Sequence, residues 1–169
     1  PDFVYDGTAK TLTGVEVSVE GTLLQPGVDY TVDYKNNVKA GNAATVEVTG
    51  KGNYTGTISK AFNIAKAKLS VANVTADNRT YDGTKLVQIS GVELNNIATG
   101  DKLSDIIDFA GATAMISDKD AGKYASVNNL SGISLKDTKN YEFTIPATEV
   151  ALKENVIISP AKVKIVDVI

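Results

Sequence analysis

The sequence predicts an all-β protein made of two small modules in tandem. Three observations carry that expectation. Apolar and polar residues alternate at period two along several short runs, and clusters of Gly, Asn, Asp and Pro separate those runs. One word, Tyr-Asp-Gly-Thr, stands at Tyr5–Thr8 and again at Tyr81–Thr84.

In order, Val15, Val17 and Val19 alternate with Glu16, Ser18 and Glu20 before turns at Gly21 and Pro26-Gly27. Tyr30, Val32 and Tyr34 alternate with Thr31, Asp33 and Lys35, and Asn36-Asn37 ends the run. Val46 and Val48 follow, then a turn over Gly50–Asn53. Tyr141, Phe143 and Ile145 follow the turn at Asp137–Asn140. Each pattern reads as a strand with one buried and one wet face. At 100–109, "GDKLSDIIDF" puts Leu103, Ile106 and Ile107 at helical spacing with Asp101 as N-cap. A short helix and a bulged strand both stay open there.

The halves share more than one word. Tyr5 and Tyr81 lie 76 positions apart, Ala40 and Ala121 81, Asn53 and Asn140 87, and Ile64 and Ile158 94. Anchors in constant order with widening spacing describe one architecture whose second copy has longer loops. "AKLSV" (67–71) then opens module two, and "AKVKI" (161–165) repeats it. The expected modules are 1–65, lacking its leading strand, and 66–161, with 162–169 the orphan first strand of a third. The chain opens on a motif already under way and reads as part of a longer protein. An orphan strand is expected to pair with an open edge, of module two or of another molecule, or to fill the empty place in module one.

Asp-Gly is a turn signal. Asp6 and Asp82 can accept nearby N–H groups, and Gly7 and Gly83 reach positive φ without a Cβ clash. Tyr5 and Tyr81 add a large ring whose hydroxyl stays wet at the rim. An acid–base site is the functional alternative, but no nucleophile, His or second fixed carboxylate accompanies either motif. The motif reads as folding hardware.

"DAGKY", with Asp120, Gly122 and Tyr124, has the form of the tyrosine corner of immunoglobulin-like sandwiches. The expected fold is therefore two tandem small immunoglobulin-like β-sandwich modules. The alternative is a β-grasp-like sheet with one short helix. The counterpart "KAGNA" has Lys39 and Ala43 in place of the acid and the ring.

The chain has no His and no Cys, which removes imidazole bases, thiolate nucleophiles and His- or Cys-bound metals. Its net charge of −3 is spread along the chain, with no basic face for nucleic acid. No apolar run approaches the roughly 20 residues of a membrane span. Asp118 with Asp120, and Asp77 with Asn78 and Asp82, are the calcium candidates. Neither set approaches the about six to eight oxygens calcium takes, so no metal and no cofactor are expected. Exposed aromatic platforms for sugar are not evident.

"YDGTAKTLTGVEV", "VDYTVDYKNN" and "AGNAATVEVTGKGNYTGTISKAFNI", with "YDGT", "DAGKY", "SGISL", "NY" and "ISPAKV" further on, resemble tandem MBG/YDG-type modules of large bacterial cell-surface proteins. The resemblance implies a secreted, extracellular, adhesin-like protein whose modules act as stalk or spacer units beside neighbouring repeats. It supplies no catalytic residues. Direct binding of a host glycan or protein is the alternative role. Thr57–Val71 contains no Gly or Pro, so the expected junction is stiff and the expected molecule an extended, non-catalytic rod.

Overall fold

The computed structural model describes residues 3–164 of the chain. In chain order its elements are β1 (Phe3–Val4), β2 (Ser18–Val19), β3 (Thr22–Leu23), β4 (Tyr30–Lys35), β5 (Gly41–Gly50), β6 (Thr57–Ala65), β7 (Ala67–Ala76), β8 (Arg79–Thr80) and β9 (Leu86–Asn95). Then come α1 (Leu103–Ile106), β10 (Ile107–Asp108), β11 (Thr113–Met115), β12 (Gly122–Ser131), β13 (Ser134–Leu135), β14 (Tyr141–Phe143) and β15 (Val150–Ser159). The all-β class holds.

The chain divides into two compact units. The first takes in the chain up to Lys68 together with Ile97–Lys102 and Asp137–Glu142. The second takes in Leu69–Asn96, Leu103–Lys136 and the chain from Phe143 onward. A single boundary at 65/66 therefore does not describe the packing, because two short segments of the expected second module belong to the first unit.

In the first unit the strand order is β1-β6-β5-β4. Antiparallel registers run from Tyr30↔Gly50 to Lys35↔Thr45 and from Ala44↔Phe62 to Thr49↔Thr57. β1 lies parallel to the end of β6, with Phe3↔Ile64 and Val4↔Ala65. Leu24, Tyr30 and Val48 form a buried cluster against which Val15, Val17, Val32 and Tyr54 pack. The strand expected over Val15–Val19 is shorter, reduced to β2. Val15 and Val17 still pack against the core, but side chains take part of the backbone bonding there. The Tyr30 hydroxyl donates to the Val15 carbonyl at 2.9 Å. The Tyr34 hydroxyl donates to the Leu12 carbonyl at 3.0 Å and accepts the Leu12 N–H at 3.1 Å.

In the second unit, β7, β9, β11, β12 and β15 follow one another as antiparallel neighbours. A parallel contact, Leu152↔Val74, joins β15 back to β7. β8 continues alongside β15, also parallel, with Ile158↔Arg79 and Ser159↔Thr80. Register shifts at Thr75/Ala76, Thr113/Met115 and Tyr124/Ser126 bend these strands. Bulges add twist, and a twisted sheet can curl until its edges meet. Val74, Val87, Val127, Val156 and Ile158 fill the interior. A sheet that returns to its own first strand differs from the two facing sheets of the expected immunoglobulin-like sandwich. The helix at 103 exists but has only four residues, too short for the crossing helix of a β-grasp arrangement. β14 stops at Phe143, short of Ile145.

The orphan strand expected at 162–169 lies partly outside the described residues, which stop at Lys164. Ala161–Lys164 are exposed and belong to no strand.

Ile158 is 1% exposed on the strand that both β8 and β12 need. Ile158→Ala should destabilise by about 2–5 kcal/mol, read as a lower urea midpoint at unchanged slope.

Candidate functional site

The two Tyr-Asp-Gly-Thr words build the same local turn. Asp6 Oδ1 accepts the Thr8 N–H at 2.8 Å and the Thr8 hydroxyl at 2.6 Å. Asp82 Oδ1 accepts the Thr84 N–H at 2.9 Å and the Thr84 hydroxyl at 2.8 Å. Gly7 and Gly83 follow with φ of 83° and 81°. The Tyr5 N–H donates to the Ala65 carbonyl at 2.9 Å, and the Tyr81 N–H donates to that of Ser159 at 2.8 Å. A cation completes each turn: Lys10 pairs with Asp6, and Arg79 with Asp82 at 2.7 Å. Lys10 first, then Thr8, hold the Asp6 carboxyl down to about 2. Asp82 is lowered chiefly by the Thr84 N–H and hydroxyl.

The surroundings of the two words differ. Tyr81 is half-buried, whereas Tyr5 is 2% exposed and its hydroxyl is not at a wet rim. The Tyr5 hydroxyl donates to Asp101 Oδ2 at 2.7 Å, and the Tyr141 hydroxyl donates to the same oxygen at 2.7 Å. The rings meet edge to face, centroids 5.3 Å apart. The Ala98 N–H donates to the Tyr141 hydroxyl at 3.0 Å, and Lys39 Nζ donates to the Tyr5 hydroxyl at 3.3 Å while lying over that ring. Asp101 is therefore the shared acceptor of two phenols rather than the helix N-cap expected from the sequence. All these groups lie within the first unit.

Asn140, 4% exposed, precedes Tyr141 in the chain. Its Oδ1 accepts the Ala40 N–H at 3.1 Å and its Nδ2 donates to Asp137 Oδ2 at 2.7 Å. Its carbonyl accepts the Ala67 N–H at 2.9 Å. Ala40 and Asn140 look in the sequence like anchors of separate repeats, yet they are hydrogen-bond partners. The signal available was an Asn between a turn and a strand, which does not name its partner.

The electrostatics fix the protonation of this cluster. Burial first, then the bond to Asp101, pushes Tyr141 up to about 12. The same two causes push Tyr5 well above the ordinary phenol range. The Tyr141 and Tyr5 hydroxyls, with the Lys39 charge, hold Asp101 below the usual carboxylate range. Both phenols keep their protons and the carboxylate stays ionised across neutral pH. Such a set clamps three segments together and is poorly matched to proton transfer near pH 7.

The remaining sequence candidates lie elsewhere. The Tyr124 hydroxyl donates to the Asp120 carbonyl at 2.7 Å across Gly122, the bond of a tyrosine corner, with the ring half-buried. Asp118 Oδ1 accepts the Lys119 N–H at 2.6 Å, and the Asp77 N–H donates to the Gln88 carbonyl at 2.9 Å. Among the described residues no three His, Cys, Asp or Glu side chains gather as metal ligands. None of their helices is long and apolar enough to cross a membrane.

Residues 64–150 match the YDG domain. The chain belongs to the YDG domain family. No curated protein and no solved structure matches it. The YDG match opens at Ile64, the residue opposite Phe3, and takes in Tyr81–Thr84, Asp101, Asp120–Tyr124 and Asn140-Tyr141. Tyr5 and Lys39 lie outside it. Asp101 and Tyr141 thus come from the YDG match, while Tyr5 and Lys39 come from the chain before it.

An added Cβ on Gly7 would stand 2.6 Å from the Thr99 carbonyl oxygen, whereas Gly83 has open space. Gly83→Ala should cost only the about 1–2 kcal/mol of a left-handed backbone, and Gly7→Ala more, both read by urea denaturation. Tyr141→Phe removes a donor to Asp101 and the acceptor of the Ala98 N–H, and should cost about 1–3 kcal/mol. The tyrosine pKa is raised on folding, so its contribution is complete below the unfolded value of about 10 and is lost as pH rises. Wild-type stability should therefore fall between about pH 10 and the folded value of about 12, less steeply in Tyr141→Phe. Asp101 works in the opposite sense: its contribution holds above about pH 4 and fades as pH falls further, a decline that Asp101→Asn should blunt.

Proposed function

We propose that the chain is a non-catalytic spacer segment of a secreted bacterial surface protein, carrying tension between neighbouring repeats of the same chain. One observation carries the reading. In each unit the strand leading into Tyr-Asp-Gly lies parallel and hydrogen-bonded to the unit's last long strand, β1 beside β6 and β7–β8 beside β15. Tension entering at the first strand and leaving at the last pulls parallel neighbours in opposite directions along their length. The bonds between them are then loaded together in shear, not opened one at a time.

Further support comes from the match between units. Phe3↔Ile64 corresponds to Arg79↔Ile158, and the bond from Tyr5 to Ala65 corresponds to that from Tyr81 to Ser159. In this reading the units are tandem repeats, one of them with longer loops. Only Lys66 separates β6 from β7 along the chain. The fixed protonation of Asp101, Tyr5 and Tyr141 suits a clamp. The surface location rests on the resemblance of the sequence to MBG/YDG-type modules.

The test is single-molecule force spectroscopy. The chain has no native cysteine, so engineered handles are unique. Pulling through the chain ends should require a clearly higher unfolding force than pulling through cysteines at Ala43 and Asn63. Those two exposed positions lie at the open end of the β5–β6 pair and load it in unzipping. Equal forces in the two geometries would remove the basis for the reading.

A further inference from the structure

In the second unit the sheet returns to its first strand where β15 meets β7 in parallel. Among the described residues that contact has a single register pair, Leu152↔Val74. Both strands are irregular there. Val74 lies between the register shifts at Val71/Asn73 and Thr75/Ala76. On β15, Tyr124↔Val156 is followed by Ser126↔Ala151, so residues 152–155 stand where β12 offers Ala125 alone. Leu152 and Val156 are buried, and the residues between them are exposed. A bulge leaves its extra residues outside the ladder and disrupts pairing locally.

Side chains supply what the ladder lacks at this seam. The Ile157 N–H donates to Asn78 Oδ1 at 2.7 Å. Glu93, in register with Asn73, accepts from Asn73 Nδ2 at 2.8 Å. The same carboxylate takes the Lys153 ammonium on its other oxygen. Asn73 and Lys153 are the chain neighbours of Val74 and Leu152, so one carboxylate ties β9, β7 and β15 together beside the closing pair. Asn73 Oδ1 is buried and accepts no hydrogen bond from any described residue, a cost that contact with water would remove.

We infer that Lys153, Glu93 and Asn73 form a latch on the seam between β7 and β15, and that this seam opens locally while β9, β11 and β12 stay paired. Its contacts are those of a low-stability segment: one backbone pair, one side-chain acceptor and an exposed ion pair. β9, β11 and β12 instead join through backbone ladders, the Ile89 N–H donates to the Ala112 carbonyl at 2.9 Å, and Val87 is 1% exposed. An exposed ion pair contributes little and is screened by salt. The latch therefore sets how often the seam opens and does not decide whether the unit folds.

Native-state hydrogen exchange on the full chain tests this, with the Ile157 amide reporting the seam and the Ile89 amide the rest of the sheet. Ile157 should be protected at least about tenfold less than Ile89 and respond little to low urea, whereas Ile89 should follow the steep urea dependence of global unfolding. Glu93→Gln keeps an acceptor for Asn73 and loses the charge. It should speed Ile157 exchange about two- to fivefold at low salt, and high salt should erase the difference from wild type. Val87→Ala weakens the part that stays closed, so it should speed Ile89 exchange and leave Ile157 unchanged. Equal protection and urea dependence at the two amides, no effect of Glu93→Gln, or equal acceleration of both amides by Val87→Ala would each overturn the latch. No force is applied, so a failure here is distinct from a failure of the tension-bearing reading.

Discussion

A parallel ladder between an entering strand and a departing one governs each unit. β1 against β6, and β7–β8 against β15, hold together residues far apart in sequence. A parallel pair cannot be closed by a tight turn, so the intervening chain must travel out and return. Here it returns as antiparallel strands, and the sheet must curl to bring its last member beside its first. The bulges in β7, β11 and β12 fit that demand. The Tyr-Asp-Gly turn sits where the entering strand ends, which explains its place: it releases the chain from the ladder at a defined residue.

That placement also decides what the tyrosine becomes. The N–H of each Tyr-Asp-Gly tyrosine closes the ladder, to Ala65 in one unit and Ser159 in the other, which fixes where its backbone lies. In the first unit the ring meets Tyr141, and its hydroxyl meets Asp101. One carboxylate serving two buried phenols satisfies three polar groups, where any one alone would carry a desolvation penalty. The Lys39 ammonium offsets the charge left on Asp101. Tyr81 has no comparable environment and stays half-buried. An identical motif therefore yields one turn in two settings, and the YDG match by itself does not distinguish them.

The edges of the two last long strands follow from the same ladder. β15 is flanked by β7 and then β8, whereas among the described residues β6 pairs with β1 at Ile64 and Ala65. Two tyrosine hydroxyls hold the 12–17 segment in place across from it.

The sequence by itself determined the β class, the two Asp-Gly turns, the alternation that buries Tyr30 and Val48, and the Tyr124 corner bond. Each of these depends on residues within a few positions of one another or on a period-two pattern, so local chemistry suffices. It left a short helix and a bulged strand both open after Asp101, and it misread what Asp101 does. An aspartate before a helical run has a local role as a cap, and only a folded chain can present it with two distant phenols instead. Tertiary structure alone decided that Asn140 would serve Ala40, that segments 97–102 and 137–142 would join the first unit, and that parallel contacts would curl the second unit's sheet. Those outcomes depend on which distant groups are left with unsatisfied hydrogen bonds once the strands have paired, and no local pattern carries that information.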